Sequence, residues 1–172
     1  MALIRKVKGV SPKWGKNCWF ADNAVLTGDV VMGDNCSVWF HSIVRGDVHS
    51  IRIGDNVNVQ DGAVIHCTYK KSPVSIGNNV SIAHRAVVHG CTIGNNVLIG
   101  MGAILMDDVV VEDNCIIAAG AVVMKGTRVE KGTVWGGLPA KKLKSIDEEL
   151  FKGEVMRIAE SYLMYASWYD EE

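Results

Sequence analysis

His66, His84 and His89 fall close together in the chain, and clustered imidazoles are ligands that zinc, iron and cobalt favour. Three neutral imidazoles on one divalent ion would leave its full charge facing an open coordination position. Such a charge lowers the pKa of a bound water to about 7 and makes it a nucleophile at neutral pH. Proximity along the chain does not by itself make a ligand set. His84 precedes His89 by five residues, which is about 15 Å of extended strand before any corner shortens it. A zinc–nitrogen bond spans only about 2.0–2.1 Å. Whether the rings meet depends on the elements that carry them. His41 and His49 have no such grouping and are read as ordinary surface or core histidines.

Those elements are set by an internal repeat. A large apolar residue recurs every six positions with a small residue or valine four later, as in Ile53/Val57, Val59/Ala63, Ile76/Val80, Ile82/Ala86, Ile99/Ala103 and Ile117/Ala121. A helical period would not hold this register. Each hexad reads as a short strand plus a corner. The runs Gly-Asp-Asn at 33–35 and 54–56 and Gly-Asn-Asn at 77–79 and 94–96 supply residues that tolerate left-handed backbone. Three sides close one triangular coil, and coils stack at about 4.8 Å. Segments 48–52 and 67–75 are expected as small excursions from corners. The repeat covers about residues 14–138 and is broken by Gly-Gly-Leu-Pro-Ala-Lys-Lys. Ser145 is then expected to cap a helix with Asp147, Glu148 and Glu149 in its first turn. Phe151, Val155, Ile158, Tyr162, Tyr165 and Tyr169 would form its apolar stripe, packed along the β wall or a neighbouring subunit. Residues 1–140 thus form the β-helix domain, and 141–172 a C-terminal helix within the same unit.

Folding the repeat in this register aligns 32/38/44 with 53/59/65, 76/82/88 and 93/99/105 on successive coils. Arg45, His66 and His89 each follow the inward aliphatic of the third side, so they stack in one outward column. Asp61 and His84 each lie two places after the second side's aliphatic and form another. His66 and His89, one coil apart, are near enough to share a metal, but His84 on the same coil is not. A neighbouring copy could bring it across a threefold axis. The register therefore predicts an intersubunit site in a closed ring, most simply a homotrimer.

The 172 residues suit one domain with a substantial core. Lys+Arg 18 against Asp+Glu 19 leaves a net charge of -1 with no basic stripe, so neither nucleic acid nor a membrane surface is an expected partner. The opening Met-Ala-Leu-Ile-Arg-Lys is too charged for a signal peptide, and no apolar run is long enough to span a bilayer. Five cysteines, Cys18, Cys36, Cys67, Cys91 and Cys115, lack any CxxC spacing and suggest a reducing, cytoplasmic location.

The hexads resemble the all-β, left-handed parallel β-helix superfamily, and that resemblance alone supplies the handedness. The general rule for parallel crossovers would give the opposite. More specifically, Arg45-Gly46-Asp47, Asn58-Val59-Gln60-Asp61, His66 and His84-Arg85-Ala86-Val87-Val88-His89-Gly90 are similar to the γ-class carbonic anhydrases over nearly the whole chain. The resemblance implies a Zn2+ ion (Fe2+ or Co2+ being alternatives) held by His66 and His89 of one subunit and His84 of the next. It implies Gln60 orienting solvent on the metal, Asn58 and Asp61 supporting the site, and Tyr162 approaching from above. An Arg45–Asp47 salt bridge across the subunit boundary is also implied, as is the reversible hydration of CO2 to bicarbonate.

Two positions depart from that family pattern. Val48 follows Asp47 where a glutamate is expected, and Cys67-Thr68-Tyr69-Lys70-Lys71 is short and basic where an acidic proton-transfer loop is expected. Activity is therefore expected to be slow or conditional. Competing readings on the same scaffold are an acyl-CoA thioesterase, an acyltransferase using one histidine as general base, and a structural trimer that keeps its metal for assembly. Gly100-Met101-Gly102 is read as a hexad corner, since no strand–helix context follows it.

Overall fold

The hexads fold as expected into a parallel β-solenoid of about seven turns in the computed structural model, which describes residues 1–169. One side carries Val64–His66, Val87–His89, Ile104–Leu105 and Val122–Val123 in parallel register. A second carries Val74–Ile76, Thr92–Ile93, Val110–Val111 and Arg128–Val129. The third runs from Trp19–Phe20 through Asn58–Val59, Val80–Ile82 and Val97–Ile99 to Thr133–Gly137. The repeated aliphatics form the core: Val44, Ile65, Val88 and Leu105 stack with no exposed surface, and Ala63, Ala86 and Ala103 fill the corners beside them. Each buried aliphatic of this kind contributes roughly 1.5–3 kcal/mol of transfer free energy.

Asparagine and glycine divide the work at the corners. Asn35, Asn56, Asn79 and Asn96 take the left-handed conformation, with φ of 57, 56, 55 and 54°. Their side chains form a ladder, in which Asn56 Nδ2 donates to Asn79 Oδ1 at 3.0 Å and Asn79 to Asn96 at 2.9 Å. The preceding glycines serve close approach instead. A Cβ on Gly33 would lie 2.8 Å from the Gly54 carbonyl carbon of the next coil. The middle residues accept backbone N–H groups between coils, as Asp55 Oδ1 does from Asp34 at 2.8 Å and Asn78 Oδ1 does from Asp55 at 2.8 Å.

Three local expectations are corrected. Segment 48–52 is no excursion: the chain stays extended through Ile43–Ile53, its first half pairing with Val64–His66 and its second with Val74–Ile76. Alternation explains this, because Ile51 and Ile53 return to the core. After Gly137 the chain turns back as strand Ala140–Ser145, antiparallel to Thr133–Gly137. This lysine-rich strand covers the edge of the last coil, and charge is how natural edges resist further pairing. Ser145 is used in that pairing, so the helix is capped by Asp147, whose Oδ1 accepts from Leu150 N at 2.7 Å. Segment 67–75 does behave as a tight turn, closed by the Thr68–Ser72 bridge.

The C-terminal helix contains a π-helical turn, Phe151–Met156, before the regular stretch Arg157–Ser167. The wider turn rotates the stripe, so Val155, Ala159 and Ala166 are buried most deeply while Ile158 and Tyr165 sit at the flank. Val155 packs with Ile116 and Val134 of the third side. Farther along, Tyr162 stacks edge-on to Trp39 at 5.1 Å and Tyr169 lies 5.1 Å from Trp19. Residues 170–172 of the expected helical segment lie outside the described residues. No helix among those described is long and apolar enough to cross a membrane.

Candidate metal centre

Parallel pairing places Arg45 beside His66 and His66 beside His89, each one residue past a fully buried aliphatic. This is the outward column expected from the repeat. The ring centroids of His66 and His89 are 5.1 Å apart, and His66 Nδ1 and His89 Nε2 approach to 3.1 Å. Two nitrogens bound to one tetrahedral zinc at its usual bond length would be about 3.3 Å apart. Asp61 and His84 form the second column, joined by Asp61 Oδ2 and His84 Nδ1 at 2.8 Å.

All three imidazoles are backed by a carboxylate. Asp47 Oδ1 lies 3.2 Å from His66 Nε2, Asp107 Oδ1 lies 2.7 Å from His89 Nδ1, and Asp61 holds His84. A carboxylate on one ring nitrogen fixes the ring and directs the other nitrogen, the usual support of a metal-ligating histidine. The donor set therefore fits a borderline divalent ion. Within one chain it is incomplete, since no three ligating side chains converge among the described residues. His84 opens with Gln60 and Tyr162 on a cleft of 390 Å³ under the helix, whereas His89 and Asp107 line a separate depression.

Local electrostatics suit ligation. Burial, then the nearby Arg45 charge, lowers the pKa of His66 against the pull of Asp47 and so favours the neutral ring. Burial works to raise Asp47, but hydrogen bonds from Arg45 and His66 outweigh it and hold the carboxyl below its ordinary range. Asp107 is likewise held low, with hydrogen bonds from Thr68 and His89 overcoming burial. Burial, followed by the charge of Asp61, pushes Tyr162 up to about 12. Its hydroxyl stays protonated as a donor, 3.4 Å from His84 Nε2.

The buried pair Gln60 and Asn58 is held in a chain, with Gln60 Nε2 donating to Asn58 Oδ1 at 2.9 Å and Asn58 Nδ2 to Ser81 Oγ at 2.8 Å. In the single chain Arg45 closes on its own Asp47 at 2.7 Å, where a pair across a subunit boundary was expected. Asp107 and Ser81 were not expected at all. The repeat contained the signal for Asp107: carrying the register one coil beyond His89 sets Met106-Asp107 beside it.

Residues 90–125 match the model of the bacterial transferase hexapeptide family (six repeats). The chain is 43% identical to a probable carbonic anhydrase of Methanocaldococcus jannaschii over 87% of its own length and 91% of that protein. It is 39% identical to the mitochondrial gamma carbonic anhydrase 2 of Arabidopsis thaliana over 90% of its own length, and spans 56% of that longer protein. A Bacillus cereus structure described as a putative acetyltransferase superposes with a TM-score of 0.93 at 34% identity, covering 98% of this chain and 96% of that one.

Proposed function

The chain belongs to the γ-class carbonic anhydrase family of hexapeptide-repeat proteins, and from that premise we propose that it hydrates CO2 reversibly to bicarbonate at a three-histidine centre completed between subunits. The observation that carries this reading is the convergence of His66 Nδ1 and His89 Nε2 at 3.1 Å, each ring backed by its own carboxylate. Zinc, or ferrous iron or cobalt in its place, would be held by His66, His89 and a second copy's His84, and when bound would supply the charge that acidifies water to neutral pH. Gln60, held by Asn58, can orient solvent without adding charge, and Asp47, Asp61 and Asp107 fix the ligand rings. The Tyr162 hydroxyl, which meets His84 Nε2 in the single chain, would be released from that nitrogen when it ligates the metal.

The homotrimer has its own physical support. Val25, Ile43, Val64, Val87, Ile104 and Val122 align in register two positions before the Arg45/His66/His89 column. None of them is fully buried in the single chain, which leaves an apolar ridge facing outward beside the two ligands. Covering such a ridge favours association with a second copy. A contact using different patches on the two partners closes into a ring when its rotation permits. Five free thiols agree with a reducing compartment such as the cytoplasm.

A specific observation favours a second reading. The 390 Å³ cleft beside His84 has an apolar wall that includes Leu98, Met101 and Ile116, a surface better suited to an acyl group than to CO2. The test is stopped-flow CO2 hydration on anaerobically purified protein with metal content measured on the same sample. Activity that tracks metal content and is abolished by His66→Ala is the expected result. A fully metallated protein without hydration activity would favour acyl-thioester hydrolysis or a structural role.

A further inference from the structure

Cys18 and Cys36 take no part in the proposed metal centre, yet they occupy equivalent positions on adjacent coils. The parallel pairing of Trp19 with Ser37 puts them side by side, and Trp19 N donates to Cys36 O at 2.9 Å. Each follows a left-handed asparagine, Asn17 or Asn35. Each thiol points the same way, Cys18 Sγ donating to Gly33 O and Cys36 Sγ to Gly54 O, both at 3.2 Å. Neighbouring parallel strands are about 4.8 Å apart, within the Cα separation of about 4.4–6.8 Å that a disulfide requires.

The surroundings separate this pair from the other thiols. Both residues line a cleft of 350 Å³ closed on its far side by Leu163, Ala166 and Ser167 of the helix. Cys18 is partly exposed there, whereas Cys36 is buried behind it. The neighbouring Cys36 side chain, aided by the backbone N–H groups of Cys36 and Gly15 and opposed by burial, lowers Cys18 to about 7. The same contact, with burial, pushes Cys36 far above the ordinary thiol range. Cys67 and Cys91 are sealed in the core, with their thiols raised chiefly by burial to about 11 and about 12. Cys115, buried on a later coil, has Val97 on the preceding coil in place of a second thiol.

We propose that Cys18 and Cys36 form a thiol–disulfide exchange site in which Cys18 is the nucleophile and Cys36 the resolving thiol, acting on a small disulfide that enters the cleft. The Cys18 thiolate attacks one sulfur of the substrate, breaking its S–S bond and releasing one thiolate. Cys36 then attacks the Cys18 sulfur of the mixed disulfide, and the second substrate thiol departs with the Cys36 proton. Two protein thiols are oxidised to one disulfide and one substrate disulfide is reduced to two thiols. The product staples the first coil to the second at the base of the helix. The chemistry is independent of any metal.

The test uses the native full-length protein with oxidised glutathione as the probe, read by intact mass and non-reducing peptide mapping. The wild type should lose the mass of two hydrogens, retain no adduct and yield a Cys18–Cys36 peptide. Cys36→Val should instead trap glutathione on Cys18. Valine suits that position because Val57 and Val80 occupy its equivalents on the next coils, so this variant keeps the core filled. Cys18→Ser should form neither product. The rate of adduct formation in Cys36→Val should rise with pH toward a plateau, with its midpoint above the wild-type Cys18 value of about 7, because the variant removes the Cys36 contact that lowers it. Five unmodified thiols in the wild type, an adduct that persists on wild-type Cys18, or a faster reaction at Cys115 would each overturn the proposal.

Discussion

At the scale of single residues, the centre is built from pairs, each a histidine with its own carboxylate. Asp107 is the most informative of the carboxylates, because it holds His89 at 2.7 Å and is itself held by Thr68 at 2.8 Å. Asp107→Asn should retain the fold yet weaken metal binding roughly 10- to 100-fold, the usual cost of losing a carboxylate behind a ligating histidine. Competition with a chromogenic chelator would measure it, and unchanged affinity would remove Asp107 from the centre. Val48 packs against the core where a carboxylate would have served proton export. The cleft beside it is lined instead by Lys8, His49, Arg52 and Lys70, together with Asp29 and Asp47. Turnover of the fully metallated protein should therefore climb with buffer concentration. A rate independent of buffer would show that the chain exports its own proton.

At the scale of elements, the solenoid depends on corners whose residues are not interchangeable. Asn56 combines a left-handed backbone with a side-chain rung to Asn79. Asn56→Ala should cost about 1–3 kcal/mol, from the αL penalty and the lost hydrogen bond. Gly33→Ala should cost about 1–3 kcal/mol for a different reason, since the added carbon meets the next coil's backbone and the coils must part. Urea denaturation of both variants would separate them from Gly153→Ala, where a Cβ meets nothing within 4 Å. Hexad spacing made the strands and their inward residues legible. It did not reveal the closing hairpin, because Ala140–Ser145 has no hexad period and is held by pairing with Thr133–Gly137. The helix cap moved for the same reason: pairing in the hairpin takes Ser145 away from the helix start and leaves Asp147 to cap it.

At the scale of the whole molecule, the two histidine columns lie on different parts of the surface, so the proposed centre makes ligation and assembly a single event. His66→Ala and His84→Ala should each lose metal while leaving the β-helix folded. Mixing the two variants under conditions of subunit exchange should restore metal binding in part. One interface of the mixed ring then pairs intact His66 and His89 with an intact His84. A centre confined to one chain could not be rescued in this way. Val87→Asp on the apolar ridge should shift the protein toward monomer by light scattering, and metal should be lost with assembly.

The sequence alone determined the repeat, the inward aliphatics, the two columns and the separation of His84 from His89. All of these follow from a period that the chain repeats many times, so each coil checks the next. The tertiary structure decided what occurs once. It paired Asp107 with His89 and Asp61 with His84, rotated the helix through its π turn, and brought Tyr162 over the His84 cleft. It also set Cys18 against Cys36. Such contacts join segments through packing and side-chain rotamers rather than through periodicity, and the energy that selects them exists only when the coils are stacked.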